Sequence, residues 1–265
     1  MLARDTDLPQ ILRTRASVAR RRLGRRLALS YPPDSPLDAL KLEALDVAHR
    51  RFRLRSAADL GAVWAVDAAY TFHLADQAGV ESVTAVDDDF TATATRAASR
   101  RDNVRLLRGN FGDATVAAQV GQVDAVVMFD VLLHQVSPDW DEVLELYAPS
   151  TRVFVLAGPW YTASPTSVRL LDLGEERYLA TVPSQVTHDG LFDRLDEINP
   201  TRHRPWRDVH DIWQWGITDQ DLRQRMRSLG FTLAHFENHG AWRSLSSFDN
   251  AAYVFARPEL IAGVP

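Results

Sequence analysis

The sequence contains no cysteine. That absence removes a disulfide framework, a thiolate zinc site and a cysteine nucleophile together. Lysine is almost as scarce: Lys41 is the only one among 30 basic residues, a bias that reads as base composition of the coding genome. No stretch approaches ~18 uninterrupted apolar residues, so no membrane-spanning helix is expected. Gly-x-Ser-x-Gly is missing, which disfavours an α/β-hydrolase. Gly-x-x-x-x-Gly-Lys is missing too, and Lys41 stands far from any phosphate turn. What is present is ordinary for a globular chain: 265 residues, 46% hydrophobic and 25% charged. That length buries a full-sized core in one large domain, or one and a half, and that composition excludes a mostly disordered or collagenous chain.

The net charge of −5 argues against a dedicated nucleic-acid binder. Its distribution is uneven, because residues 1–26 hold eight arginines against Asp5 and Asp7. This leading segment reads as an amphipathic, solvated helix; contact with phosphates or an anionic surface is the sharper alternative. It lacks the apolar run and small-residue cleavage site of a secretory signal, so a cytoplasmic chain is expected. No internal repeat is visible.

From residue 57 onward, strands and helices alternate. Ser35 as N-cap with Pro36 opens a helix through about Phe52. Strands are expected at 57–60, 83–86, 103–107, 123–129 and 152–157, with helices at 65–78, 90–100, 114–120 and 137–148. The nearly continuous apolar run 123–129 suits a strand buried on both faces. After an irregular, Trp-rich stretch at 158–217, Thr218 caps a helix to Leu229. Two more strands follow at 231–237 and 251–256, separated by a loop over 238–250. The pattern predicts an α/β fold: a Rossmann-like, mostly parallel sheet of seven strands with a terminal antiparallel pair and helices on both faces. In such sheets ligands bind beyond the carboxyl ends of the strands.

The residues at those ends carry the chemistry. The first strand ends Asp59-Leu60-Gly61, where a glycine lets backbone approach a ligand closely. The second ends Val86-Asp87, 26 residues after Gly61, an acid placed to accept from ribose hydroxyls. The third leads into Gly109-Asn110-Phe111, an amide able to read an adenine edge beside a ring able to pack on it. The fourth runs through Phe129-Asp130 to His134.

Over about residues 55–257 the sequence resembles the class I S-adenosylmethionine-dependent methyltransferases. The resemblance rests on Asp59-Leu60-Gly61, the 83–87 strand, Gly109-Asn110-Phe111, the 126–134 stretch and the two late strands. It implies S-adenosyl-L-methionine as cofactor and a small-molecule substrate, with oxygen as the expected nucleophile. It implies Asp87 at the ribose, Asn110 and Phe111 at the adenine, and Asp59, Gly61, Ala62, Val63, Asp88 and Asp130 lining the same site. It implies three parts: a basic segment and helix over 1–52, a methyltransferase-like domain over 53–257, and a tail over 258–265. One departure stands out. The family's Gly-x-Gly-x-Gly reads here Gly61-Ala62-Val63-Trp64-Ala65, which brings a β-branched side chain to the turn. Asp67 or Tyr70 is then expected to replace lost contacts. A methyltransferase-like fold without methyl transfer, either a non-methylating enzyme or a binding protein, is the alternative. An RNA methyltransferase, resting only on the leading arginines, is a weaker one.

His134 is the expected general base, because it follows the fourth strand where the family points residues at the methyl group; a histidine that only hydrogen-bonds and packs the site wall is the alternative. His210 is the second candidate, and His188 is weaker. His235 and His239 have a metal-like spacing, but on a strand they do not converge. The Asp87–Asp89 run fits ribose binding and helix capping better than a cation, so no metal is expected. Segment 158–217 is expected to cover the site, with Trp160, Trp213 and Trp215 walling a flat pocket and Arg202, Arg204 and Arg207 available to an anionic group. The alternative is that the tryptophans form the segment's own small core.

Overall fold

The computed structural model describes residues 37–183, 189–243 and 245–262. The basic segment 1–26, the helix start at Ser35 and Pro36, and His188 lie outside them. Among the described residues no helix is long and apolar enough to cross a membrane.

The chain enters through α1 (Ala39–Phe52), whose first turn is closed by Asp38, its side chain accepting from the Leu40 N–H at 3.0 Å. The helix therefore starts later than the Ser35–Pro36 signal suggests. Then follow β1 (Ser56–Leu60), α2 (Ala69–Ala75), β2 (Ser82–Asp87), α3 (Ala92–Ala98) and β3 (Val104–Arg108). α4 (Ala114–Val120), β4 (Val123–Phe129), α5 (Trp140–Tyr147) and β5 (Thr151–Tyr161) complete the alternation. The excursion that follows contains β6 (Val168–Arg169), α6 (Glu175–Thr181) and β7 (Trp215–Gly216). The chain closes with α7 (Asp219–Ser228), β8 (Thr232–Trp242), β9 (Leu245–Ala256) and α8 (Pro258–Ala262).

Seven strands form one sheet in the order β3-β2-β1-β4-β5-β9-β8, and β6 pairs with β7 separately. The contacts from β3 across to β5 are parallel, while β9 runs antiparallel to both its neighbours. Alternation along each central strand feeds two cores. Leu60, Val126, Met128, Phe154 and Leu156 face a layer containing Val116, Val143 and Met226 from α4, α5 and α7. Ala57, Val127, Val153, Val155 and Ala157 face a layer containing Leu45, Tyr70 and Leu74 from α1 and α2. The helix expected to belong with the N-terminal segment is thus part of the sheet's core. Each fully buried Val, Leu or Phe contributes about 1.5–3 kcal/mol.

Three elements differ from the sequence-based expectation, each for a local reason. α2 begins at Ala69, not near 65, because Ala65, Asp67 and Ala68 take left-handed φ values of 65°, 50° and 64°, which no α-helix accommodates. β5 runs four residues past Ala157, through the Gly158-Pro159 pair that reads as a break. β4 has ended by then, so Pro159 withholds a donor from a side where no strand needs it. The expected loop at 238–250 is mostly strand: β8 and β9 continue as a bulged ribbon to Trp242 and Leu245.

Candidate active site

The three strand ends β1, β2 and β3 lie side by side, so the register of the sheet alone brings Gly61, Asp87 and Asn110 together. Gly61 adopts φ 73°, and a Cβ there would stand 2.5 Å from Val131 Cγ1 and 3.4 Å from the Phe111 ring. Only glycine fits this approach. The turn after it is built inward: the N–H groups of Gly61 and Ala62 donate to the Val86 carbonyl at 2.8 and 3.3 Å. The Val63 N–H donates to the Asp87 carboxylate at 2.8 Å. Val63 is buried, whereas Trp64 points outward and is 57% exposed. Asp67 accepts from the Thr91 hydroxyl at 2.7 Å, and the Tyr70 hydroxyl accepts from the Asp38 N–H at 2.9 Å.

Two carboxylates here are held unusually basic. Asp59 is pushed up to about 6, mainly by burial, against the opposing hydrogen bond from the Thr71 hydroxyl at 2.6 Å. Asp87 also rises to about 6, again mainly by burial, with the Val63 N–H opposing and Asp88 adding to the rise. Asp59 is enclosed by protein, and Asp87 is half-buried at the edge. Asn110 Oδ1 accepts from the Gly112 N–H at 2.8 Å, which fixes the amide and leaves its Nδ2 as donor. The Tyr147 hydroxyl donates to the Phe111 carbonyl at 2.8 Å, pinning the Phe111 backbone beneath Gly61.

The β4 end is built differently. Asp130 takes a left-handed φ of 57° and its Oδ2 forms an ion pair with Lys41 from α1. Lys41 is buried between the rings of Tyr70 and Phe129, 5.7 and 5.8 Å from their centroids. This pair was not legible in the sequence. Its one signal was that a chain so strongly biased to arginine keeps a lysine at position 41. His134 closes the short turn after β4. Its Nδ1–H donates to the Ile212 carbonyl at 2.8 Å, so the lone pair resides on Nε2. Burial holds His134 below the ordinary histidine range, although the Ile212 bond opposes it, and the ring is therefore neutral near pH 7.

The excursion after β5 is fastened to this turn. The Gln214 N–H donates to the Leu133 carbonyl at 3.0 Å, and His210 Nδ1 donates to the His134 carbonyl at 3.0 Å. His210 Nε2 accepts from Arg204 at 3.1 Å, so both its ring nitrogens are engaged, and burial lowers its pKa. On the other side, Arg202 bridges Asp88 at 3.3 Å and Asp211 at 2.6 Å. The segment thus meets both the β2 and the β4 ends, with β1 between them. Arg207 pairs with Asp196 at 2.8 Å, so all three arginines have protein partners. Trp213 is buried in the excursion's own core with Leu170, Tyr178 and Val209, its ring 5.0 Å from Phe248, 5.3 Å from Trp242 and 6.2 Å from His134. Trp215 lies on β7 under the Arg169 guanidinium at 5.6 Å. Trp160 is buried in the main core, its indole N–H donating to the Ala251 carbonyl at 2.8 Å. A small cavity opens at the β4 and β5 ends, lined by Asp130, Leu132, Leu133, Gly158, Trp160 and Ile217. His235 and His239 share Glu237 between them on β8, at 3.8 and 2.8 Å.

No family model and no curated protein sequence matches the chain. Solved structures do. The 1,6-didemethyltoxoflavin-N1-methyltransferase of Burkholderia thailandensis, with 1,6-didemethyltoxoflavin and S-adenosylhomocysteine bound, is similar at TM-score 0.55 and 14% identity, over 97% of this chain and 93% of that one. The N-terminal domain of EvdMO1, in the presence of S-adenosylhomocysteine and D-fucose, is similar at 0.53 and 16%, over 90% and 97%. The magnesium protoporphyrin IX methyltransferase of Synechocystis, with S-adenosylhomocysteine, is similar at 0.50 and 13%, over 91% and 94%. With the strand order and the single antiparallel reversal at β9, these likenesses show that the chain has the fold of the class I S-adenosylmethionine-dependent methyltransferases.

Proposed function

We propose that the chain is an S-adenosylmethionine-dependent methyltransferase acting on a small molecule through an oxygen nucleophile. The observation that carries this is one continuous edge. It holds Gly61, Asp87 and Asn110 on three neighbouring strands, and beside them His134 with its basic nitrogen unprotonated. The donor set fits the cofactor. The Asp87 carboxylate supplies acceptors for ribose hydroxyls, Asn110 Nδ2 a donor for the adenine, and Phe111 an apolar ring against Gly61. When bound, the cofactor supplies an electrophilic methyl group on a sulfonium.

The protein's own part is positioning and proton handling. His134 Nε2 takes the proton that leaves a substrate hydroxyl, and the Ile212 carbonyl holds the ring in the tautomer this needs. His210 acts through His134, fixing its backbone. The excursion, with Trp213 behind His134, shields the edge from water. Two of the similar structures were solved with small molecules present, 1,6-didemethyltoxoflavin and D-fucose, which supports a small-molecule substrate.

Calorimetric titration with S-adenosylmethionine tests this reading. Binding is expected in the native chain and is expected to weaken at least about tenfold in Asp87→Ala, where hydrogen bonds to a charged acceptor are lost. No binding at millimolar cofactor would sink it. The turn favours a second reading, a fold that has given up methyl transfer, because Val63 is buried where the family keeps glycine and its N–H occupies Asp87. Binding gained only in Val63→Gly would select that reading.

A further inference from the structure

The turn that follows β1 uses its first polar groups on the protein itself. The N–H groups of Gly61 and Ala62 go to the Val86 carbonyl, and that of Val63 goes to Asp87 Oδ2. The space over Gly61 is filled as well, since a Cβ there would meet Val131 Cγ1 at 2.5 Å. The chain then folds back: the N–H groups of Asp67 and Ala68 donate to the carbonyls of Val63 and Ala62, each at 3.0 Å. That closure puts three non-glycine residues, Ala65, Asp67 and Ala68, at left-handed φ, a conformation disfavoured at every one of them. Two features hold it against this strain. Ala62, Val63 and Ala68 are buried with Phe72, Ala85 and Ala94 in one apolar cluster, and the Thr91 hydroxyl donates to Asp67 Oδ1 at 2.7 Å. Trp64 lies in the same turn, outside that cluster and largely exposed.

We propose that the 62–68 turn is a latch with two states, that the structure shows it shut, and that the cofactor binds only once the turn leaves its left-handed conformation and releases Asp87. Gly61, Asp87 and Asn110 keep their places, which strand register fixes; the turn alone moves. Opening frees the Asp87 oxygen held by Val63 for a ribose hydroxyl and relieves the three φ angles. It also breaks the bond from Thr91 to Asp67. Strain and ties thus pull in opposite directions across one short segment, the condition for two states of similar free energy. A ligand that binds only the open form has an apparent affinity proportional to the fraction open. Side chains that never touch the ligand therefore set how tightly it binds. Asp67 is a positioning residue that keeps the turn shut, not a contact to the cofactor. The identity of the ligand rests on the methyl-transfer reading, whereas the two states of the turn do not.

The test labels the full chain with 5-fluorotryptophan and follows the Trp64 resonance, identified by its loss in Trp64→Phe. Fluorine relaxation dispersion is measured on it without ligand, alongside calorimetric titration with S-adenosylhomocysteine. The native chain is expected to show microsecond-to-millisecond exchange at Trp64. Ala65→Gly removes one left-handed penalty and favours the shut turn, so it is expected to quench the exchange and weaken S-adenosylhomocysteine about fivefold. Asp67→Ala removes the bond from Thr91 and sets alanine at a left-handed position, so it is expected to raise the open fraction and tighten binding about threefold or more. Both positions lie outside the apolar cluster, which the variants leave intact. Unchanged affinity in both variants would overturn the latch. So would weaker binding in Asp67→Ala, which would make Asp67 a cofactor contact instead. If neither the native chain nor a variant binds S-adenosylhomocysteine, the methyl-transfer reading fails and the exchange alone decides the latch. Exchange quenched by Ala65→Gly and raised by Asp67→Ala would then uphold it, and a Trp64 resonance without exchange would overturn it.

Discussion

The carboxyl edge of the sheet is built in two ways. Over β1, β2 and β3 the chemistry sits within two residues of a strand end, and its geometry follows from strand register. Over β4 and β5 it depends on a long excursion with its own apolar cluster, fastened back by hydrogen bonds from Ile212, Gln214 and His210 to the 132–134 turn. The first half changes only if the sheet changes. The second packs its apolar cluster onto Leu133, Tyr161 and Phe248 at the edge of the sheet, and its geometry follows from those side chains and not from strand register. The common ligand of a fold suits the first kind of construction, and the variable one suits the second.

If the two halves are independent in this sense, damage to the excursion should leave the register half working. Trp213→Ala removes a buried indole that meets Phe248, Trp242 and His134. It is expected to cost about 3–5 kcal/mol in the excursion's local stability. Hydrogen exchange should rise across 189–217 while S-adenosylhomocysteine affinity stays within a few-fold; a collapse of that affinity would show the halves to be one.

The register half carries its own signature in pH. Asp59 is enclosed with a pKa near 6 in the folded chain, against an ordinary carboxylate value of 3.8 in the unfolded one. Between those values the folded chain holds the extra proton, so stability is fullest below about 4 and falls as pH rises through 6. The expected fall from this group is roughly 3 kcal/mol; Asp87, raised likewise, adds its own contribution, so Asp59→Asn should reduce the slope without abolishing it in urea unfolding measured from pH 4 to 7.5. A slope unchanged in the variant would place the ionisation elsewhere.

Smaller effects probe the fastenings. His134→Ala cuts the bond to Ile212 and is expected to cost about 1–2 kcal/mol, while the native ring titrates below the ordinary histidine range by proton NMR. A His134 midpoint above 6.5 would contradict the burial described here. Arg202→Ala removes the exposed link to Asp88 and is expected to cost no more than about 1 kcal/mol, an effect that 0.5 M salt should erase.

The same division governs what the sequence discloses. β2 and β4 are legible to within a residue, because continuous β-branched or apolar runs stop at Asp87 and Asp130 and flank the glycine turn. The placing of Gly61, Asp87, Asn110 and His134 at or just beyond strand ends is legible with them. The extension of β5 is not, since Gly158-Pro159 carries a local signal for a break that long-range pairing with β9 overrides. Nor is the Lys41–Asp130 pair, whose partners lie 89 residues apart and meet only once α1 has docked. The tryptophans show the limit most directly. Aromatic content is the same whether an indole walls a pocket or fills a core, and Trp160, Trp213 and Trp215 have three different surroundings.

The four residues of β5 beyond Ala157 carry a consequence for access. They rise about 13 Å above the end of β4 at the usual strand spacing, and are laddered to β9 through Tyr161 and Phe248. That flank is a continuation of the central sheet, so opening it would mean unzipping strands that also hold the core. A ligand reaching the edge by that flank would have to part β5 from β9, whereas between the excursion and the β2 end the tie among the described residues is the side-chain pair of Arg202 and Asp88.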